Sequence, residues 1–175
     1  MRKGAFSFAD VDMYEKYGIL VAGVDDQLMP GLRPRKVIVP DRSGAWDYGA
    51  KYRDERIITL DCGTIQTIAR ADIREFAYSV SVKGPLRLWY EEDKYYYGRI
   101  YDPDDIIRQM EKFQRFTLRF VCDPYAYGKV VEKTFTNTSD WKYEGTAPTM
   151  LWIEVINPGS SKTGITITKR EKQEL

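Results

Sequence analysis

Apolar and polar residues alternate along most of this chain, and a period of two predicts strands. The clearest run is Phe113 to Cys122, FQRFTLRFVC. Phe116, Leu118, Phe120 and Cys122 point one way, and Arg115, Thr117 and Arg119 the other. One face is core and one is wet, as in an antiparallel sheet. The same alternation predicts strands over 4–9, over Ile19 to Val24, over Arg35 to Val39 and over Arg56 to Cys62, where Ile58, Leu60 and Cys62 share a face. Leu86 to Tyr90 and Tyr95 to Tyr101 form a hairpin across the acidic turn Glu91-Glu92-Asp93-Lys94. Met150 to Ile156 and Gly164 to Thr168 are two further strands, separated by Asn157-Pro158-Gly159-Ser160-Ser161.

The period changes once. Ile65, Ile68, Ala69, Ile73, Phe76, Ala77 and Val80 recur at steps of three and four, with Gln66, Arg70, Arg74 and Glu75 on the other side. This predicts an amphipathic helix from Ile65 to Val82, capped by Thr64 and stopped by Lys83-Gly84-Pro85. Met13 to Gly18 reads as a single helical turn closed by glycine. Asp10-Val11-Asp12, Asp25-Asp26, Pro30-Gly31 and Asp123-Pro124 are breaks. A boundary falls near residue 135, giving segments 1–134 and 135–175.

The stretch Arg33 to Cys62 is the most informative. Its connection carries Pro40, Gly44, Trp46, Tyr48 and Gly49 among Asp, Arg, Ser and Lys. Long connections are uncommon unless they are functional or disordered, and two large aromatic residues argue against disorder. Two readings stand: Trp46 and Tyr48 fold back on their own subunit, or they reach a neighbouring one.

Composition narrows the chemistry. In 175 residues there are 27 basic and 26 acidic side chains, a net charge of +1. That balance removes the main electrostatic argument for sequence-reading nucleic-acid binding. No apolar run approaches the roughly 20 residues that span a bilayer, and the basic N-terminus lacks the apolar core of a secretory signal. The chain has no histidine, so the commonest general base and zinc ligand are absent and a Ser-His-Asp arrangement is impossible. Cys62 and Cys122 fall on apolar strand faces and read as small buried hydrophobes. The carboxylates at Asp25-Asp26, Glu91-Glu92-Asp93 and Asp104-Asp105 sit in turns, where they cap backbone. No phosphate loop, nucleophile elbow or metal spacing is present. Tyr95, Tyr97 and Tyr101 fit a carbohydrate platform or, more simply, cross-strand packing.

From FSFADVDMYEKYGILVAGVD the chain proceeds to Arg33-Pro34-Arg35 and the Gly44-Ala45-Trp46-Asp47-Tyr48-Gly49 connection. The strand to Cys62, the helix, LRLWYEEDKYYYGRI, FQRFTLRFVCDPYAYG and NTSDWKYEGTAPTMLWIEV follow. In that order of patterns it resembles the distal tail protein family of siphophages. The resemblance covers residues 4–156 and rests on order and local pattern rather than one diagnostic motif.

The resemblance implies a mainly β (α+β) chain. Residues 1–134 are expected to form an antiparallel β-sandwich with one flanking α-helix that assembles into a hexameric ring. Residues 135–175 are expected to begin a second, galectin-like β domain, of which the family usually carries a complete copy. The implied role is structural, with no enzymatic activity, no cofactor, no metal and no membrane. The ring joins the tail tube protein to the tail-associated lysin hub and to receptor-binding or baseplate proteins. It leaves a channel through which DNA passes without specific binding. The expected location is the virion tail tip, after synthesis in the bacterial host cytoplasm. Aromatic and arginine side chains are favoured at interface centres, so Arg42, Trp46 and Tyr48 are the candidate subunit-interface residues. A carbohydrate-binding module using the tyrosine hairpin and a tail-tube subunit are the alternatives.

Overall fold

A computed structural model describes residues 1–41, 43–49, 52–65, 67–102, 115–135, 140–147, 149–156, 159 and 164. The chain forms two compact units, 1–136 and 137–175. The predicted segment Ile106 to Met110 and most of the predicted strand Gly164 to Thr168 lie outside the described residues.

The first unit is an antiparallel β-sandwich with a flanking helix, built from one sheet that rolls back over itself. β1 (Phe6–Phe8) turns through Ala9 and Asp10, whose φ values of 50° and 63° make the left-handed two-residue hairpin turn. β2 (Val11–Asp12) pairs back on it. Asp12 then caps the short helix α1 (Met13–Tyr17), its Oδ1 accepting from the N–H groups of Tyr14 and Glu15 at 2.9 and 3.1 Å. Gly18, at φ 66°, closes α1 in the left-handed position that glycine adopts without steric cost. β3 (Ile19–Asp26) and β6 (Arg56–Thr64) form a long hairpin, and between them β4 (Lys36–Ile38) and β5 (Ala45–Asp47) pair as a separate ribbon. α2 (Arg70–Ser81), β7 (Gly84–Leu88), β8 (Lys94–Arg99), β9 (Arg115–Cys122) and β10 (Tyr127–Gly128) complete the unit.

Among the described residues the main sheet has the order β2-β1-β7-β8-β9-β6-β3, with β10 added to β8. Its two ends meet, because Val21 of β3 donates to the carbonyl of Gly4, just before β1, at 2.8 Å. The inward faces therefore look at one another. Phe8 and Phe120 lie 5.2 Å apart between ring centroids although two strands separate β1 from β9. The predicted alternation of β9 is realised without a break, with Phe116, Leu118, Phe120 and Cys122 all buried. α2 covers the open side of the sandwich. Its Phe76 packs edge-on against Phe116 and Tyr17, and Ile73, Ala77 and Val80 are buried beside it. Each fully buried large apolar side chain contributes about 1.5–3 kcal/mol, and among the described residues the buried apolar ones lie between Ala5 and Cys122.

The structure corrects several predicted boundaries. α2 begins at Arg70, not Ile65, and its N-cap is Ala69 rather than Thr64. Thr64 pairs with Ile19 at the end of β6, and Ile65 donates to the Gly18 carbonyl at 3.1 Å. That ladder keeps the chain extended through positions whose spacing also suited a helix. Gly84 and Pro85 are not a helix cap but the start of β7; the helix ends on Val82 in extended geometry. Tyr90 and Tyr101 lie outside the hairpin strands. In the second unit Met150 to Ile156 forms no strand. Both alternating sets are open to solvent, with Met150, Trp152 and Ile156 strongly exposed and Leu151, Ile153 and Val155 exposed as well. A strand needs a ladder partner to satisfy its backbone.

Candidate subunit interface

The connection between β3 and β6 is not a loop. Its two sides run antiparallel from the body outwards. Asp54 donates to Gly31 at 2.9 Å, Arg33 to Tyr52 at 2.8 Å and Tyr48 to Arg35 at 2.9 Å. Lys36, Val37 and Ile38 then pair with Asp47, Trp46 and Ala45. Gly44 and Gly49 take left-handed φ angles, and Asp47 folds its own carboxylate back onto the Gly49 N–H at 2.8 Å. From Leu32 to Ile38 such a ribbon rises about 20 Å.

Ribbon side chains alternate between two faces. Val37 and Trp46 sit opposite one another, and Tyr48, two residues on, shares their face. The Trp46 and Tyr48 rings touch at 6.5 Å between centroids. Trp46 remains 46% exposed, Tyr48 65% and Ile38, on the other face, 83%. Monomeric proteins rarely present a contiguous apolar surface of this kind without a use for it. Of the three candidate residues, the structure thus places Trp46 and Tyr48 together on one exposed face; Arg42 lies outside the described residues.

The base of the ribbon is locked by a residue that sequence reasoning passed over. Arg56 is 7% exposed. Its Nη1 lies 3.3 Å from Asp26 Oδ1, its Nη2 donates to the Leu28 carbonyl at 3.0 Å and its Nε to the Pro124 carbonyl at 3.4 Å. Its guanidinium also lies over the Tyr96 ring at 5.0 Å. One side chain thus joins the strand that enters the ribbon, the one that leaves it and the end of β9. The signal was present: Arg56 has the same phase as Ile58, Leu60 and Cys62, so its side chain had to point inward.

Around Arg56 the electrostatics are shaped by burial. Desolvation raises the Asp26 carboxyl above its ordinary value even though Arg56 and Tyr90 favour its charge. Burial pushes Tyr90 up to about 12. Burial also raises Tyr96, whose hydroxyl donates to Glu91 at 2.5 Å. For Glu91 desolvation works against the charge, but bonds from Lys94 and Tyr96 prevail and hold the carboxyl below its usual value.

The tyrosine hairpin is a packed cluster rather than an open platform. Tyr95 stacks on Tyr127 at 5.6 Å and 18°, Tyr97 meets both edge-on, and Arg87 lies over Tyr95 at 5.4 Å. Tyr101 is apart from it, under Arg99. Tyr127 and Arg87 thus cover the Tyr95 ring, while Tyr97 and Tyr127 stay about 40% exposed. Cys62 and Cys122 are buried free thiols; desolvation raises both, Cys122 to about 12. Among the described residues no group of three or more acidic or cysteine side chains is arranged to hold a metal ion. None of their helices is long and apolar enough to cross a membrane.

No protein-family model matches the chain, and no curated protein matches it. Among solved structures it is similar to that of the SPP1 Dit (gp 19.1) protein, described as a paradigm of the hub adsorption apparatus in phages infecting Gram-positive bacteria. The TM-score is 0.54 at 20% identity, over 71% of this chain and 52% of that one. The chain therefore spans about half the length of the structure it matches, and the likeness is one of fold.

Proposed function

We propose that this protein is a structural subunit of a phage tail tip, one of six identical copies in a hub ring between the tail tube and the baseplate or receptor-binding proteins. The observation that carries the reading is the shared fold with a phage hub protein over 71% of the chain. The exposed aromatic ribbon supports it, because a ring of identical subunits needs a heterologous contact that closes by rotation. DNA would pass through the ring without specific binding, and the near-balanced charge suits a surface along which a polyanion slides. The tail tube protein and the tail-associated lysin hub are the neighbours this reading supplies, and the virion tail tip is the location. Residues 135–175 then begin a second, galectin-like domain. A tail-tube subunit would also build rings, but the fold likeness favours the hub.

Native mass spectrometry across a range of concentrations, with negative-stain electron microscopy of the same samples, tests the reading. Closed six-membered rings are expected. A strict monomer at every concentration overturns the ring.

A further inference from the structure

The ribbon needs a receiving surface, and the outer face of the β3–β6 hairpin offers one at its far end. Strand register places Leu20, Gly63 and Arg115 in one cross-strand row. Gly63 has no side chain, so the row has a gap between Leu20 and Arg115. Ala22 borders that gap on β3, Val21 and Thr64 line it where the two strands end, and Ile65, 62% exposed, stands beside it. The result is an open groove of about 360 Å³, mainly apolar in its lining, with Thr64 and Arg115 as its polar residues and Arg115 the charged one among the described residues that line it.

We propose that this groove receives the Trp46–Tyr48 face of the ribbon of a second copy of the chain. Three observations point to that occupant. The ribbon presents large π faces, and the groove's charged group is a guanidinium, the cation that pairs best with them. The groove is a space between side chains, and the ribbon is a projection of comparable aromatic bulk. Finally, the two lie at opposite ends of one hairpin. The ladder from Ile19–Thr64 to Asp26–Ile58 spans about 25 Å, with the groove at the first end and the ribbon leaving from the second. A molecule with its knob and its hole at opposite ends associates head to tail. Each copy that fills a neighbour's groove leaves its own open for the next, and such a contact either closes into a ring or runs on as a filament. The inference rests on the ring reading and names the two surfaces that make the ring's contact.

The test uses the full chain with two exposed, conservative changes, Ser43→Cys at the ribbon tip and Ala22→Cys in the groove. Cys62 and Cys122 are buried and leave the engineered thiols as the reactive ones. The two single variants are mixed and treated with a short bismaleimide. A covalent dimer is expected from the mixture and from neither variant alone. An oligomer that yields no such link keeps the ring and overturns the groove. Linking by one variant alone, as fully as in the mixture, also overturns it, because that reports a symmetric contact. A monomer at every concentration overturns both. Independently, Gly63→Val fills the gap at a strand position of ordinary φ. It is expected to raise the concentration for half-assembly about tenfold with the thermal midpoint of the body unchanged, and unchanged assembly overturns the proposal. If that variant does not fold, the cross-link decides alone.

Discussion

At Arg56 a full charge sits among apolar side chains, held by one carboxylate, two carbonyls and a tyrosine ring. Replacing it with methionine keeps much of the volume but strands Asp26, whose side chain is only 17% exposed. Breaking such a pair costs about 3 kcal/mol, the lower end for buried pairs because Asp26 keeps some contact with water and with Tyr90. Arg56→Met is therefore expected to lower the denaturant midpoint at neutral pH. Asp26 already titrates above its ordinary value of 3.8 because burial disfavours its charge. A carboxyl raised in the folded state costs stability at high pH; that cost shrinks as pH falls through the folded pKa and is gone below 3.8. Without Arg56 the folded value rises further, so the variant's deficit should narrow on acidification and open again on return to neutrality. The double variant with Asp26→Asn should lose that pH dependence, which denaturation at several pH values would show. Trp46 is the opposite kind of residue, 46% exposed and outside the buried core. Trp46→Ala is expected to leave the unfolding free energy of the monomer within about 0.5 kcal/mol of wild type. It should weaken each subunit contact by about 2 kcal/mol, as central interface aromatics do. Light scattering against concentration reads the second effect, and undiminished assembly would remove Trp46 from the interface.

Strands were easier to read than their ends. In β9 every second side chain is buried, so the pattern carries register as well as existence. The helix shows where pattern misleads. Ile73, Phe76, Ala77 and Val80 do face the core from α2, while Ile68 packs on the same core from outside the helix. Ile65 and Ile68 share the helical phase by coincidence, and the ladder between Ile19 and Thr64 overrides it; a long-range contact of that kind is invisible in a local window. Gly98 is a second case. Glycine inside a strand ordinarily weakens it, yet the fold requires this one: a Cβ there would lie 2.4 Å from Cys122 Sγ and 3.0 Å from the Val121 carbonyl. The paired strands leave no room for either to retreat. Gly98→Ala is expected to destabilise the sheet by about 1–3 kcal/mol, the usual cost of overpacking. A thermal midpoint equal to wild type would mean that the β8–β9 edge opens more easily than the packing suggests.

At the scale of the molecule, the sandwich and the ribbon are built on different logic. The sandwich could be anticipated because burial imposes periodicity on its strands. In the ribbon the first strand was legible, Arg35 to Val39 against the observed Lys36–Ile38, but its partner Ala45–Asp47 was not, because the ribbon buries neither face and so imposes no alternation there. Its turn residues and aromatics showed only that the connection was not idle. The described residues between Leu32 and Arg53 contribute nothing to the buried apolar core, and Leu32 and Arg53 already face one another across the ribbon's base. Excising 33–52 and joining the two sides through Asn-Gly preserves that pairing with a two-residue hairpin turn. It also shortens the loop that folding must close, an entropic change that favours the native state slightly. Arg33, which pairs with Asp54 at 2.8 Å, is lost in the excision, but an exposed ion pair contributes at most about 1 kcal/mol. The body should therefore unfold at nearly the wild-type temperature, while self-association disappears. Calorimetry and sizing-column light scattering on the same sample separate the two outcomes. A shortened chain that still assembles would show that the ring's contact lies on the sandwich itself. One that melts far lower would show that the ribbon supports its own subunit after all.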